Sequence, residues 1–117
     1  MLLWGFMHMA IEQQTVRVIR WTGGQHPTIS VISRMMQKEG LRPYVWENTP
    51  NYRYAPRTHG YNKVLYVVDG VLEVSFPDNN QRVKLRAGDR LEIPSGVRHS
   101  AIVGTSGARC VEAALRA

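Results

Sequence analysis

The chain has 117 residues, 44% of them hydrophobic, and a formal net charge of +6. That length and apolar content exclude disorder and allow one domain with its own core, while a single cysteine, Cys110, excludes an intrachain disulfide. The basic excess raises the question of an anionic partner, but the positive residues are scattered without a basic run or a nucleic-acid motif, so nucleic acid is not the expected one.

Met1 to Met9 is apolar but too short to span a bilayer, and it lacks the flanks of a signal peptide. Residues 1–14, with His8, are therefore expected to be flexible or packed on a partner, ahead of one domain over 15–117. The lone cysteine suits a reducing cytoplasm, the expected location, and Cys110 reads as a small buried residue of the last strand. Thr15 to Trp21 is rich in β-branched residues and predicts a strand ended by Gly23-Gly24. His26 reads as a loop residue. Pro27-Thr28 then start a short amphipathic helix: Ile29, Ile32 and Met36 recur at helical spacing, Lys38 lies in the last turn and Gly40 ends it. The Met35-Met36 pair reads as packing.

Strands follow at Tyr44 to Glu47 and Arg53 to Ala55. Val64 to Val68 and Val71 to Phe76 are two more strand-like runs, and Asp69-Gly70 between them predicts a tight hairpin turn. Gln81 to Arg86 alternates with Val83 and Leu85 inward, and Arg90 to Ile93 alternates again. His99 to Val103 and Arg109 to Leu115 read as two last strands split by Gly104 to Gly107. Many short strands between turn residues predict an all-β sandwich or barrel with one short N-terminal α-helix. Val64 to Val68 is apolar at every position, so both faces need cover: one lines the barrel, and the other needs the N-terminal segments or a second subunit. A homodimer is expected.

Gly88, Pro94, Gly96 and His99 have the spacing of the second motif of the cupin family, with Val103 in place of its final Asn. The first motif is partly kept. His59 and Gly70 fit it, but Asn51 stands for Gly, Arg57 for the first His and Lys63 for Glu. From about Tyr52 to Leu115 the chain resembles a small single-domain cupin, which implies a double-stranded β-helix, a jelly-roll-like barrel. The resemblance also implies a divalent transition metal held by three imidazoles and a carboxylate, of which this chain keeps His59 and His99. An ammonium in place of the carboxylate reverses a charge: unit charges at 4 Å interact by about 4 kcal/mol at an effective dielectric near 20, doubled for a divalent ion.

A pocket for an anion is the expected outcome, with no metal cofactor, and a metal on His59 and His99 is the alternative. By strand parity Arg53, Arg57 and His59 share a face, and Lys63 points inward where the resemblance puts its Glu. Arg57 and Lys63 would bind charge, His59 and His99 would hydrogen bond, Tyr61 would sit at the mouth, and Leu65, Val67, Leu91, Ile93 and Ala101 would form an apolar wall. The plainer alternative turns Arg53 and Arg57 to solvent and pairs Lys63 with Glu47 or Glu73. Three functions compete: binding of a small polar or anionic organic ligand; an enzyme, either a metal-assisted oxygenase or isomerase or a metal-free epimerase or lyase; and a dimerising partner module.

Overall fold

β-Branched runs become strands and the one helically periodic run becomes the helix. The computed structural model describes residues 15–115, so the expectations for residues 1–14, His8 included, lie outside them. The elements are β1 (Arg17–Ile19), α1 (Ile29–Lys38), β2 (Tyr44–Asn48), β3 (Arg53–Arg57), β4 (Asn62–Phe76), β5 (Gln81–Leu85), β6 (Arg90–Ile93) and β7 (His99–Leu115). All pairings are antiparallel, in the order β1-β6-β4-β7-β2, with β3 also on β7 and β5 also on β4. No helix of the described residues is long and apolar enough to cross a membrane.

The helix forms where its end signals lie. Thr28 Oγ1 accepts the Val31 N–H at 3.2 Å as N-cap, and Gly40 takes a φ of 82° just past the C-cap, Glu39. Ile32 and Met36 are fully buried and pack on Val64, Tyr66 and Val68, the outer face of β4. That face is therefore covered from within the chain, and the reason for expecting a second subunit over it falls away. Met36 packs as expected, whereas Met35 stands exposed. The inner residues Leu65 and Val67 join Phe76, Leu85, Leu91 and Val103 in the main core.

The hairpin expected at Asp69-Gly70 does not form. β4 runs unbroken from Asn62 to Phe76, and both of its halves pair with β7: Asn62 to Gly70 against Ala108 to Leu115, and Leu72 to Ser75 against Ser100 to Val103. What reads as a turn is a bend, with register shifts between Val67 and Asp69 and between Gly70 and Leu72. β7 bends at the same level, so its two expected strands are also one, with Gly104 to Gly107 inside it. Continuous pairing serves the backbone groups of both long strands on either side of the bend. Asp69 is gripped there by Arg109, whose Nε and Nη2 donate at 2.9 and 2.6 Å, and by His26 Nε2 at 2.8 Å. The hydrogen bonds from His26 and Arg109 hold its carboxyl below the ordinary carboxylate range.

The bend also reverses strand parity. Before it Lys63, Leu65 and Val67 face the barrel interior; after it Leu72, Val74 and Phe76 do. In β7 the inward set changes from His99, Ala101 and Val103 to Ala108, Cys110 and Glu112. Cys110 is fully buried, as expected, and burial pushes its thiol pKa up.

Candidate functional site

One end of the barrel holds a cavity of about 360 Å³ into which β2, β3, β4, β6 and β7 all send side chains. Arg57, His59, Tyr61, Lys63 and His99 line it together, as the sequence suggests. The two motif loops are stitched to each other: Gly96 N donates to His59 O at 2.9 Å and Ser95 N to Asn62 Oδ1 at 2.8 Å. Those bonds set the His59 and His99 rings 5.1 Å apart, with Tyr61 stacked on His59 at 4.9 Å. Asn51, which stands for a motif glycine, takes a φ of 65°, a left-handed conformation that Asn tolerates.

The parity expected for β3 is corrected by a bulge. Arg53 pairs with Ile102 and Tyr54 with Ala101, but Arg57 pairs with His99, so one extra residue lies between them. Tyr54 and Arg57 therefore share the cavity face, Arg57 as an exposed residue of its lining, and Arg53 is exposed outside it. The apolar wall is also partly revised. Leu65, Ile93 and Ala101 line the cavity, joined by Leu72 and Val74, while Val67 and Leu91 lie in the core beyond it.

Lys63 does point inward, with its side chain 16% exposed, but its acid partner is neither Glu47 nor Glu73. Its Nζ lies 3.4 Å from Glu112 Oε2. Glu112 is buried and also accepts the Tyr44 hydroxyl at 2.6 Å and the Trp46 indole N–H at 2.7 Å. Burial and the bond to Glu112 push the Tyr44 pKa up, keeping that hydroxyl a donor. Sequence reasoning missed Glu112, Tyr44, Trp46 and Tyr54. The signals were there: an acid inside the apolar run Cys110 to Leu115, and aromatic residues two apart in β2.

The imidazoles are poised as neutral groups. His99 Nδ1 donates to Val97 O at 2.9 Å, which leaves its Nε2 as an acceptor. His59 Nε2 is the buried side-chain polar atom without a partner among the described residues. Both pKa values lie below the ordinary 6.5. Burial is the main cause for each, followed for His59 by the Lys63 charge; for His99 the Val97 bond opposes burial and Lys63 adds to it. Only the unfolded chain readily takes these protons, so the stability carried by the two groups is whole above pH 6.5 and is lost as pH falls towards their folded values. The urea midpoint is expected to drop between about pH 7.5 and about pH 5.5, and to drop less in His59→Gln and His99→Gln. Equal drops in the parent and both variants would contradict this.

The donor set does not fit the metal centre that the resemblance implies. Among the described residues no three His, Cys, Asp or Glu side chains are grouped for an ion. Beside the imidazoles stands an ammonium, which has three protons and no lone pair to give.

The family model described as a cupin domain matches residues 45–112. No curated protein sequence matches the chain. Several solved structures are similar in fold. A cupin-2 domain containing protein from Shewanella frigidimarina is 22% identical, with a TM-score of 0.54 over 62% of this chain and 68% of that one. A DUF861 family protein from Thermotoga maritima is 18% identical, with a TM-score of 0.60 over 86% and 100%. The polyketide cyclase RemF from Streptomyces resistomycificus is 24% identical, with a TM-score of 0.58 over 63% and 53%.

Proposed function

This chain belongs to the cupin domain family, and we propose that its barrel binds a small organic anion directly, with Arg57 and Lys63 supplying the positive charge that the implied metal would otherwise bring. One observation carries the reading: the cavity has an unmatched cation. Glu112 offsets Lys63, whereas Arg57 meets no carboxylate among the described residues and rests 5.6 Å over the Tyr54 ring. An arginine fork there suits a carboxylate or phosphate in two parallel hydrogen bonds. His59, whose buried Nε2 is unpartnered, belongs to the same lining, and Leu65, Leu72, Val74 and Ile93 take the hydrocarbon part. A volume of about 360 Å³ lies near the lower end of ligand pockets.

A panel of small carboxylates and sugar phosphates, screened by thermal shift, tests this. A ligand at about 100 times its Kd stabilises by about 2.7 kcal/mol, a shift of several degrees. It is expected for at least one acid and is expected to vanish in Arg57→Ala, whose unliganded melting temperature stays near the parent's. No shift with any anion, or an undiminished shift in Arg57→Ala, would sink the reading.

The unpartnered Nε2 favours a second reading, in which a neutral His59 serves as the base of a metal-free lyase or epimerase on the bound acid.

A further inference from the structure

We propose that Lys63 is a covalent attachment point, its Nζ condensing with the carbonyl carbon of a small 2-oxo acid held in the barrel. This rests on the reading of the pocket as an organic-anion site and adds a chemical step to it.

The Lys63 amine is poorly served by its surroundings. Lys63 opens on the cavity with most of its side chain enclosed, and its nearest acid oxygen is 3.4 Å away. A charge-assisted N–H···O bond is shorter, about 2.7–2.9 Å. Lys63 shares that carboxylate with two neutral donors, since Oε2 also accepts the Tyr44 hydroxyl and Oε1 the Trp46 indole. Lys63 thus presents an enclosed amine to the space a ligand would fill. Lys38 and Lys84, the other lysines of the chain, are exposed on α1 and β5.

The groups that imine formation needs share the cavity with that amine. Glu112 is beside it to take a proton, the imidazoles of His59 and His99 share the cavity, and Arg57 is there for a carboxylate next to the carbonyl. From the ammonium, one proton passes to Glu112 and frees the nitrogen lone pair. The lone pair forms the C–N bond as the carbonyl π pair moves to oxygen. The two protons left on nitrogen are carried to that oxygen through the imidazoles, and it departs as water. The proton lent to Glu112 returns to give the iminium, so nothing is oxidised or reduced.

The test treats the full chain with pyruvate and sodium cyanoborohydride, then maps the reduced adduct by peptide mass spectrometry. Lactate, which lacks the carbonyl, serves as competitor. The expected result is one adduct per chain at Lys63, formed about tenfold or more faster than at Lys38 or Lys84 as a positioned amine should be. Lactate should suppress it, and Lys63→Arg should abolish it. Because the site is mapped in the unaltered protein, a poorly folding variant does not blunt the result. If pyruvate and lactate raise the melting temperature alike but adducts scatter over the exposed lysines, the imine is refuted and the anion site stands. If no acid of the panel shifts melting and Lys63 is unlabelled, both are refuted.

Discussion

Glu112→Ala is expected to destabilise the fold by about 3–5 kcal/mol, the usual cost of removing one partner of a buried ion pair. Glu112 is 4% exposed and holds three donors, from Lys63, Tyr44 and Trp46. Its loss leaves an ammonium among apolar walls and two aromatic donors without an acceptor. Lys63→Met alone should cost less, since the carboxylate keeps the 2.6 and 2.7 Å bonds from Tyr44 and Trp46. Adding Lys63→Met to Glu112→Ala should recover the part of the loss that comes from the stranded ammonium, because replacing a whole buried pair by apolar groups is often neutral, while the Tyr44 and Trp46 donors stay without their acceptor. Urea unfolding followed by tryptophan fluorescence measures all three. Strict additivity would mean that the two residues are not coupled in the folded chain. Glu112→Ala should also tighten anion binding, since Lys63 then lacks an internal counter-charge.

Gly70→Asn is expected to cost nearly as much as Gly70→Ala, about 2–4 kcal/mol, from left-handed backbone strain and forced overlap. The comparison separates a turn from a bend. In a two-residue hairpin turn Asn is among the residues preferred at a left-handed position, and the change would be mild. In the bent strand a side chain at Gly70, φ 80°, meets the carbonyl oxygen of Gly107 on β7. That collision takes no account of which side chain follows Cβ. Thermal melts of the two variants decide it: an asparagine variant as stable as the parent would mean that Gly70 and Gly107 are not in contact.

The Asp69-Gly70 pair shows why the hairpin looked right from the sequence. Glycine there signals a positive φ, and it has one: 80°. A local conformation does not say which strand comes next to it, however, and here both flanking runs prefer β7 to each other. The same limit explains the misplaced neighbours of the site. Counting by twos along β3 put Arg53 with Arg57, and one extra residue between Tyr54 and Arg57 undid it.

The sequence by itself determined the strands, the helix with its Thr28 cap and Gly40 stop, the motif offsets that bring His59 and His99 to one pocket, and a base where the family has an acid. These are short-range patterns, written in backbone preference and in the spacing of side chains along one segment. Only the tertiary structure decided that β4 and β7 bend as a pair, that Arg53 leaves the pocket while Tyr54 enters it, and that Glu112 answers Lys63. Those depend on register between strands distant in the chain, where one bulged residue exchanges the inner and outer faces of everything beyond it.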